Sequence, residues 1–437
     1  MSVGSALVIG GGIAGIQAAL DLADRGIKVY LVEKSPSIGG RMAQLDKTFP
    51  TMDCSICILA PKMNECARHP NIELLTWSEV LSVEGEAGNF TVRILKKPRY
   101  VREDLCTGCG ICTEKCPKKV PSEFEMGLGM RKAIYMPFPQ AVPRVSVIDE
   151  ENCLYFQKGV CRVCEKFCPA GAIDFEQKPQ EIELKVGAII VATGLVQADP
   201  SIESEYGYGR YKNVIASLEL ERLLSASGPT GGELKRPSDG KHPKRIGFIQ
   251  CVASRSLKEN GYPYCSSVCC MYATKEAMII MEHDPEAEIY IFYIDLRAFG
   301  KGFQEFVNRA KERGVHYIRA KPSKVIEDPE TKDLIIRYED INDKKVKEVR
   351  LDLVVLCAAL VPTPENKKLA EILGIEVDEY GFFKPLHPLY APVDSTRPGI
   401  FICGYCQGPK DIPESVAQAS GAAARAAEII AKKVVAG

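Results

Sequence analysis

Short apolar runs alternate with stretches of helical period in both halves of the chain. The apolar run at residues 6–9 precedes a helical pattern that closes at Gly26, and the next apolar run ends at Glu33. Residues 245–251 begin the same order again, followed by a helical stretch and the apolar run EIYIFYID. A strand, a helix and a second strand are the elements of a βαβ unit. The pattern therefore predicts an α/β fold with two Rossmann-like units.

Glycines mark the first strand-to-helix turn as a nucleotide site. Gly10, Gly12 and Gly15 follow the first apolar run in the pattern G-x-G-x-x-G. The first glycine permits the tight turn, the second lets a pyrophosphate approach the backbone, and the third allows close helix packing. Glu33 ends the second run, where a carboxylate can bind ribose hydroxyls, which favours FAD or NAD over a 2′-phosphorylated cofactor. The alternative is a tight turn without a ligand.

Three later segments resemble the FAD-binding parts of flavoproteins of the disulfide oxidoreductase type. IGGR at residues 38–41 continues the pyrophosphate site, VGAIIVATG at residues 186–194 returns the chain to the FAD domain, and RPGIFICG with SVAQASGAAARAA resembles the last strand and helix. Such proteins have Gly-Asp after that strand, whereas here Tyr405 follows Gly404, so Asp411 or backbone amides are expected to replace the aspartate. The residues predicted to bind FAD are Gly10, Gly12, Ile13, Ala14, Gly15, Glu33, Lys34, Gly39, Gly40, Arg41, Thr193, Gly194, Gly404, Asp411, Ser415 and Gln418.

The 18 cysteines are strongly clustered, and 15 of them lie at residues 54–66, 106–168 and 251–270. Because the sequence shows no export signal, thiolates used as metal ligands are favoured over disulfides. The middle group contains C-x2-C-x2-C-x3-C-P and C-x7-C-x2-C-x3-C-P, the spacing of a two-cluster ferredoxin in which the fourth cysteine of each run ligates the other cluster. Structural zinc is the alternative. One [4Fe-4S] cluster is assigned to Cys106, Cys109, Cys112 and Cys168, and the other to Cys116, Cys153, Cys161 and Cys164.

The second βαβ unit lacks the glycine pattern after its first strand. Without those glycines a pyrophosphate cannot approach the turn, so binding of NAD(P)H at this site is not expected. Cysteines stand there instead, in a C-x13-C-x3-C-C spacing that suits a third iron–sulfur cluster at a helix N-terminus; buried free thiols or a redox disulfide are the alternatives. The adjacent pair requires a distorted first helical turn, because neighbouring side chains on a helix diverge by about 100°. The predicted ligands are Cys251, Cys265, Cys269 and Cys270.

The motifs do not assign one role to each of the remaining cysteines. Cys54, Cys57 and Cys66 could hold a fourth cluster with a ligand from another segment or from a partner protein, and the alternative is a redox pair of Cys54 with Cys57. Cys357 lies in an apolar strand pattern and is predicted to be a core residue. The roles of Cys403 and Cys406 stay open.

The overall charge is nearly balanced, with 56 Lys and Arg against 57 Asp and Glu in 437 residues. This balance does not indicate nucleic acid or an anionic membrane as a partner. No apolar run reaches the roughly 18 to 20 residues of a membrane span, and no signal core precedes the first strand. The sequence predicts a cytoplasmic protein of two or three domains.

Taken together, the motifs resemble the A-type, flavin-containing component of heterodisulfide reductase over nearly the whole chain. The similarity is carried by IGGRMAQLDKTFPTMDCSICILAPKM, by the inserted ferredoxin with GVCRVCEKFCP, and by QCVASR followed by YCSSVCCMYATK. It implies an FAD subunit of thioredoxin-reductase-like fold, with a cluster where the second nucleotide site would be. In the methanogen complex this flavin splits electron pairs, one electron going uphill to ferredoxin and the other towards the disulfide of coenzymes M and B, which another subunit reduces.

The resemblance also implies partners and a function. The expected partners are other subunits of such a complex, ferredoxin, and a donor module such as a hydrogenase or a formate dehydrogenase, with a homodimer inside the complex. Long members of the family carry further N-terminal and C-terminal domains, so a short relative is expected. The predicted function is single-electron transfer with flavin-based bifurcation or confurcation; the alternatives are a non-bifurcating relay, a self-contained flavoprotein disulfide or NAD(P)H oxidoreductase, and a non-catalytic scaffold.

The order of the motifs predicts five segments. The ferredoxin module lies between the first FAD segment and the ATG return, which makes it an insertion in the flavin domain. The predicted segments are the first FAD part (1–98), the inserted ferredoxin domain (99–180), the FAD return (181–240), a degenerate pyridine-nucleotide-type domain with a cluster (241–385) and the last FAD part (386–437).

Overall fold

A computed structural model of the chain describes residues 4–341 and 344–435. These residues form two compact units, which are described separately. Unit 1 comprises residues up to 43, 56–195 and 362 onwards, and unit 2 comprises residues 44–55 and 196–361. Among the described residues, no helix is both long and apolar enough to cross a membrane.

The chain begins with the glycine turn and the first strands of unit 1. A 3-10 turn at Gly40–Gln44 follows the second strand. The elements are β1 (Ser5–Ile9), α1 (Ile13–Ala23), β2 (Lys28–Glu33), α2 (Ser55–Arg68), β3 (Ile72–Thr76), β4 (Ser78–Glu86) and β5 (Asn89–Lys96).

The cysteine-rich insertion follows β5 and consists of short elements. Its length is taken up mainly by loops between small helices and two-residue to three-residue strands. The elements are α3 (Ile111–Lys115), β6 (Lys119–Pro121), β7 (Met130–Lys132), β8 (Ile134–Tyr135), β9 (Val147–Ile148), α4 (Leu154–Lys158) and α5 (Val163–Lys166), after which β10 (Gln180–Val186) and β11 (Ala188–Val191) return to unit 1.

Unit 2 contains a parallel sheet and an antiparallel meander. The parallel sheet has the order β13-β20-β14-β15-β16, and the meander has the order β17-β18-β19. The elements are β12 (Val196–Gln197), β13 (Val214–Ala216), α6 (Ser217–Leu224), β14 (Arg245–Val252), α7 (Cys269–His283), β15 (Glu288–Tyr293), α8 (Phe303–Glu312), β16 (His316–Arg319), β17 (Lys324–Glu327), β18 (Leu334–Asp340), β19 (Lys345–Leu351), β20 (Leu353–Ala358) and β21 (Leu360–Val361).

The last segment completes unit 1. It adds the edge strands of the first sheet and the long helix that packs beside α1. The elements are α9 (Asn366–Leu373), β22 (Pro385–His387), β23 (Ala391–Ser395), β24 (Ile400–Ile402) and α10 (Ile412–Val435).

The sheet of unit 1 is buried on both faces. Its order is β22-β23-β24-β11-β1-β2-β3, and β24, β11, β1, β2 and β3 are parallel. Successive side chains of a strand point to opposite faces. Ala6 and Val8 accordingly lie in the core with α1 and α10, whereas Leu7 and Ile9 lie in the core formed with β4, β5 and β10. Both faces are covered, which explains the continuous apolar run in the sequence.

Antiparallel strand pairs close both interruptions of unit 1. Lys96 at the end of β5 pairs with Gln180 at the start of β10, so the two ends of the ferredoxin-type insertion lie side by side. In the same way Val196 of β12 pairs with Val361 of β21 at the two ends of unit 2. Adjacent entry and exit points allow a long segment to be inserted without disturbing the host sheet.

Strand pairing decides to which unit the segments at the ends of unit 2 belong. Residues 196–240 lie in unit 2, because β12 pairs with β21 and β13 pairs with β20. Residues 362–385 lie in unit 1, where α9 packs on the core around Phe383. The hydrogen-bonded neighbours of a strand decide its unit, and these neighbours are remote in sequence.

A buried ion pair attaches residues 44–55 to the rest of unit 2. The Lys275 ammonium and the Glu221 carboxylate are 1% and 2% exposed. Lys275 Nζ also donates to the Lys47 carbonyl at 3.0 Å, and Glu221 Oε2 accepts from the Asp46 amide at 2.9 Å. The further hydrogen bonds satisfy the buried charges, as a buried pair requires.

Candidate functional site

The glycine turn after β1 combines two packed glycines with one open glycine. A Cβ on Gly10 would lie 2.3 Å from the Ala192 carbonyl oxygen, and a Cβ on Gly15 would lie 1.8 Å from the Gly10 oxygen. Gly12 differs, because a Cβ there would meet nothing within 4 Å and its φ of −76° is one that any residue adopts. The chain itself thus does not require glycine at position 12, and the open space fits an approaching pyrophosphate.

Remote segments converge on this turn. A Cβ on Gly40 would lie 2.9 Å from the Cα of Gly12, which places the IGGR segment directly against the turn. A Cβ on Gly404, at the end of β24, would lie 2.9 Å from the Cβ of Ala14. Four segments predicted to bind FAD therefore lie together at the carboxyl edge of the parallel sheet: the glycine turn, IGGR, the ATG return and Gly404.

The Glu33 carboxylate is held beside the same turn. Its two oxygens accept hydrogen bonds from the backbone amides of Gly11 and Ser35, each at 2.7 Å. These bonds orient a carboxylate at the end of β2, where ribose hydroxyls are expected. Lys34 points elsewhere, and its ammonium forms an exposed ion pair with Glu365 at 2.9 Å.

The ATG return contributes polar contacts within unit 1. Thr193 Oγ1 donates to Asn366 Oδ1 at 2.8 Å, and Arg41 Nε donates to the Leu195 carbonyl at 3.3 Å. Burial lowers the pKa of the Arg41 guanidinium. Gly194 has a φ of +73°, which a side chain would strain. Asn366 is buried and was not found by sequence reasoning, because it lies about 170 residues after its threonine partner.

Asp411 caps the N-terminus of α10. Its carboxylate accepts the Glu414 amide at 2.8 Å, while the Glu414 carboxylate accepts the Asp411 amide at 2.9 Å, which is a reciprocal cap at the start of α10. Ser415 Oγ donates to the Asp411 carbonyl at 2.7 Å, so it belongs to the same helical turn. The residue of this group that reaches the end of β24 is Gln418, whose Oε1 accepts the Gly404 amide at 2.9 Å.

A half-buried lysine, Lys410, lies beside Gly404 and was not found by sequence reasoning. Lys410 Nζ donates to the carbonyls of Gly404 at 2.9 Å and Gly408 at 2.6 Å and to Gln407 Oε1 at 3.0 Å. Burial lowers the pKa of this ammonium. Its sequence neighbourhood, QGPKD, carries no motif, so only the folded loop reveals it. The lysine places a positive charge at the expected flavin end of the site.

The eight cysteines of the insertion line two cavities. The first cavity is lined by Cys106, Cys109, Cys112 and Cys168, and the second by Cys116, Cys153, Cys161 and Cys164. Cys168 thus lines the first cavity, although the other cysteines of its run line the second. Burial raises the pKa of Cys164 to about 12, with the Cys153 and Cys116 thiols acting in the same direction.

The spacing of these thiols suits a cluster better than a single ion. Among the described residues, no three His, Cys, Asp or Glu side chains are grouped so that they could hold one metal ion. A cubane is ligated at four separate corners, so thiols around a cavity are the arrangement that it requires. This geometry favours [4Fe-4S] clusters over structural zinc.

The third cysteine set (Cys251, Cys265, Cys269 and Cys270) lies in unit 2, where a glycine turn would stand in a nucleotide-binding unit. Burial raises the pKa of the Cys269 thiol. Burial also raises the pKa of Cys270 to about 11. The expected distortion precedes the helix: Ser267 has a φ of +69° and α7 begins directly at Cys269.

The remaining cysteines separate into a disulfide and core residues. Cys54 and Cys57 are disulfide-bonded, which corresponds to the redox pair considered as the alternative to a fourth cluster. Cys66 is fully buried on the core face of α2 with Leu59 and Met63. The cysteines at positions 357, 403 and 406 are also fully buried, and burial raises their pKa values.

Comparisons with known proteins agree with this geometry. The family model described as FAD dependent oxidoreductase matches residues 6–52, and the 4Fe-4S binding domain model matches residues 99–122. Thioredoxin reductases of T. acidophilum and Lactococcus lactis have TM-scores of 0.52 at 13% and 16% identity, with 98–99% of each chain covered. The chain therefore has a thioredoxin-reductase-like fold with an FAD-binding type of first segment and a ferredoxin-type region, and the predicted fold class is confirmed.

Curated relatives define the family more narrowly. The iron–sulfur A-type component of CoB–CoM heterodisulfide reductase from Methanocaldococcus jannaschii is 59% identical over 420 residues, and the protein of the same name numbered 2 from Methanopyrus kandleri is 60% identical over 432 residues. These alignments cover 96% and 99% of this chain but only 63% and 65% of the relatives. The A-type component of the H2:CoB–CoM heterodisulfide,ferredoxin reductase of Methanothermobacter thermautotrophicus is 54% identical. That alignment covers 97% of this chain and 63% of the relative. The chain belongs to the family of A-type components of heterodisulfide reductase, as the motifs predicted.

The glycine turn offers a matched pair of substitutions. Gly12→Ala is expected to keep the fold but weaken FAD binding at least about tenfold, a loss of about 1.4 kcal/mol, because its Cβ meets only the space left for the ligand. Gly15→Ala is expected to disturb the fold itself, since its Cβ would overlap the Gly10 oxygen. Flavin absorbance and far-UV circular dichroism of both variants measure the two effects. Full flavin binding by folded Gly12→Ala would contradict this placement.

The two cavities predict opposite effects for two similar cysteine substitutions. Cys168→Ser is expected to alter the signal of the cluster on Cys106, Cys109 and Cys112, whereas Cys116→Ser is expected to alter the other cluster. Electron paramagnetic resonance of the reduced chain distinguishes the signals. Variants that perturb the same signal would show that the ligands are not exchanged between the two runs.

Proposed function

We propose that the chain is an FAD and iron–sulfur electron-transfer subunit of a heterodisulfide-reductase-like complex. The observation that carries the proposal is that one chain holds an FAD-type turn together with three sets of four neighbouring cysteines. When bound, FAD exchanges electron pairs and [4Fe-4S] clusters exchange single electrons, so the combination converts one kind of transfer into the other.

The residues of the chain supply binding, orientation and protection from water. The open Gly12, the Glu33 carboxylate and the Gly404 turn fit the pyrophosphate, ribose and flavin ends of FAD. In the insertion, Cys112 and Cys164 are buried beneath their cavities, whereas Cys109 is exposed. A cluster with one exposed ligand is accessible to a redox partner, while its buried ligands are shielded from solvent.

The finer proposal is that the flavin bifurcates or confurcates electron pairs. It is supported by the family membership and by a relative whose name includes both a heterodisulfide and ferredoxin. The partners proposed are further subunits of the complex, ferredoxin, and a donor module such as a hydrogenase or a formate dehydrogenase; a relative in Methanococcus maripaludis is named for both H2 and formate. The cytoplasmic location, a homodimer of the chain within the complex, and the predicted domain limits stay predictions.

A self-contained disulfide or NAD(P)H oxidoreductase is the second candidate. The Cys54–Cys57 disulfide is the observation in its favour. Against it, the segment from the end of β14 to the start of α7 carries the third cysteine set, where a nucleotide-binding turn would need glycines. The Gly247 within β14 is packed under Leu351, since its Cβ would lie 2.3 Å from that side chain, and it therefore serves the core.

Cofactor content tests the proposal against this alternative. Anaerobically purified chain with one FAD is expected to contain about 12 irons, three clusters of four. Iron assay and flavin absorbance on the same sample provide the measurement. About four irons or fewer at full flavin content would contradict the presence of three clusters and favour the self-contained flavoprotein.

Potentiometry of the chain in its complex tests bifurcation separately. Crossed one-electron potentials of the flavin, with the second electron transferred more readily than the first, are expected if electron pairs are split. Titration followed by visible absorbance measures both potentials. Two similar one-electron potentials, with the first electron transferred more readily than the second, would contradict bifurcation. They would still be consistent with a non-bifurcating electron relay.

A further inference from the structure

One buried hydroxyl reaches a cysteine of the first cavity in the insertion. Ser146 lies just before β9, is 1% exposed, and is part of the lining of this cavity. Its Oγ lies 3.5 Å from the Cys112 Sγ, a distance that allows a hydrogen bond to sulfur. In the part of the chain that the structure describes, the hydroxyl has no other hydrogen-bond partner. The Ser146 side chain is therefore directed at a predicted cluster ligand.

Cluster binding fixes the direction of this hydrogen bond. With a free thiol, either Cys112 or Ser146 could be the donor. A cysteine that ligates iron does so as a thiolate, which has no proton to donate. The Ser146 hydroxyl is then the donor and the Cys112 sulfur is the acceptor. Because a buried hydroxyl without a partner is unfavourable, this bond is expected to persist in the loaded protein.

The backbone around Ser146 is held at the cavity from two sides. Gly108 belongs to the first cysteine run, and a Cβ on it would lie 2.6 Å from the Arg144 carbonyl oxygen. The cysteine-bearing loop thus packs directly against the chain two residues before the serine. On its other side, the Ile148 amide donates to the Arg99 carbonyl at 3.0 Å. The position of the hydroxyl is therefore fixed by the backbone on which it stands.

The same stretch of chain also contacts the segments predicted to bind FAD. The Ile38 amide donates to the Val142 carbonyl at 3.0 Å, and the Gly39 amide donates to the Gly11 carbonyl of the glycine turn at 2.7 Å. Residues 142–146 thus connect the first cavity with the glycine turn inside unit 1. A reduction potential that is set at this cavity consequently bears on electron exchange with the flavin.

The two cavities differ in the donors that reach their sulfurs. In the first cavity, the Ala172 amide also donates to the Cys168 sulfur at 3.3 Å. In the second, the Cys116 sulfur lies 3.8 Å from the Lys118 carbonyl oxygen, which cannot donate. Lys132 donates to the backbone carbonyl of Cys116 and not to its sulfur. Among the described residues, no side-chain hydroxyl is hydrogen-bonded to a cysteine of the second cavity, so the serine donor distinguishes the first.

We propose that Ser146 raises the reduction potential of the cluster in the first cavity by donating a hydrogen bond to the Cys112 sulfur. The inference rests on the proposed function, because it requires that this cluster exists. Reduction transfers one electron from the reduced flavin to the cluster without breaking a bond, and the hydroxyl keeps its proton. A donor at a ligating sulfur stabilises the added negative charge. Because it acts through Cys112, Ser146 is a positioning residue.

Ser122 provides a matched control in the same insertion. Its side chain is 6% exposed, and its Oγ accepts the Glu125 amide at 3.3 Å. Ser146→Ala and Ser122→Ala are the same substitution, and each removes one buried hydroxyl from the insertion. Only Ser146→Ala removes a donor to a cysteine sulfur. A comparison of the two separates the hydrogen bond to sulfur from a general loss of buried polar contacts.

The experiment is a redox titration of the anaerobically purified full chain with dithionite as the reductant, followed by electron paramagnetic resonance. The signal of the first-cavity cluster is identified as the one that Cys168→Ser alters. Ser146→Ala is expected to lower its reduction equilibrium about tenfold, which is a midpoint lower by about 59 mV for one electron. Ser122→Ala is expected to stay near wild type. The second-cavity signal, the iron content and the flavin content should be unchanged in both variants.

The outcomes separate the inference from the function on which it rests. Full iron content with an unshifted midpoint in Ser146→Ala overturns the role of Ser146, as does an equal shift in Ser122→Ala. Loss of about four irons in Ser146→Ala also overturns it, because the serine would then serve cluster assembly. A wild-type chain with about four irons or fewer would instead contradict the proposed function.

Discussion

The arrangement of the flavin site depends on the parallel pairing of β1, β2, β11 and β24. The carboxyl ends of parallel strands meet at one edge of a sheet, and Gly10, Glu33, Ala192 and Gly404 stand at these ends. The register matters as well, since a slip by one residue would exchange the two faces of a strand. Because the segments are joined by hydrogen bonds rather than by sequence, the site survives the two long interruptions between them.

The interruptions themselves carry the cysteine sets that are predicted to bind clusters. The ferredoxin-type insertion adds two cysteine-lined cavities, and unit 2 adds the third cysteine set. The two ends of each inserted segment are joined by an antiparallel strand pair. The buried thiols in these sites have raised pKa values, because burial disfavours the thiolate. Metal binding must therefore displace protons, and the iron–thiolate bonds supply the free energy for this. The cofactors and the local structure around the cysteines should stabilise each other.

Several features were not accessible from sequence patterns. The division between the units at residues 195–196 and 361–362 follows from strands that pair over more than 150 residues. The Asp411 carboxylate caps the first turn of α10, a contact that its predicted role at the flavin did not include. Cys66 lies on the core face of α2 with Leu59 and Met63.

By itself, the sequence determined the α/β class, the glycine turn and the cysteine sets, because each depends on spacing within a few residues. The exchange of Cys116 and Cys168 between the two ferredoxin-type runs was also predicted from spacing, and the cavities place them accordingly. Only the tertiary structure decided which polar groups surround these motifs, such as Lys410 at Gly404 and Ser146 at Cys112. Those contacts join residues from separate strands and loops, and their distances are set by packing of the sheets rather than by local conformational preference.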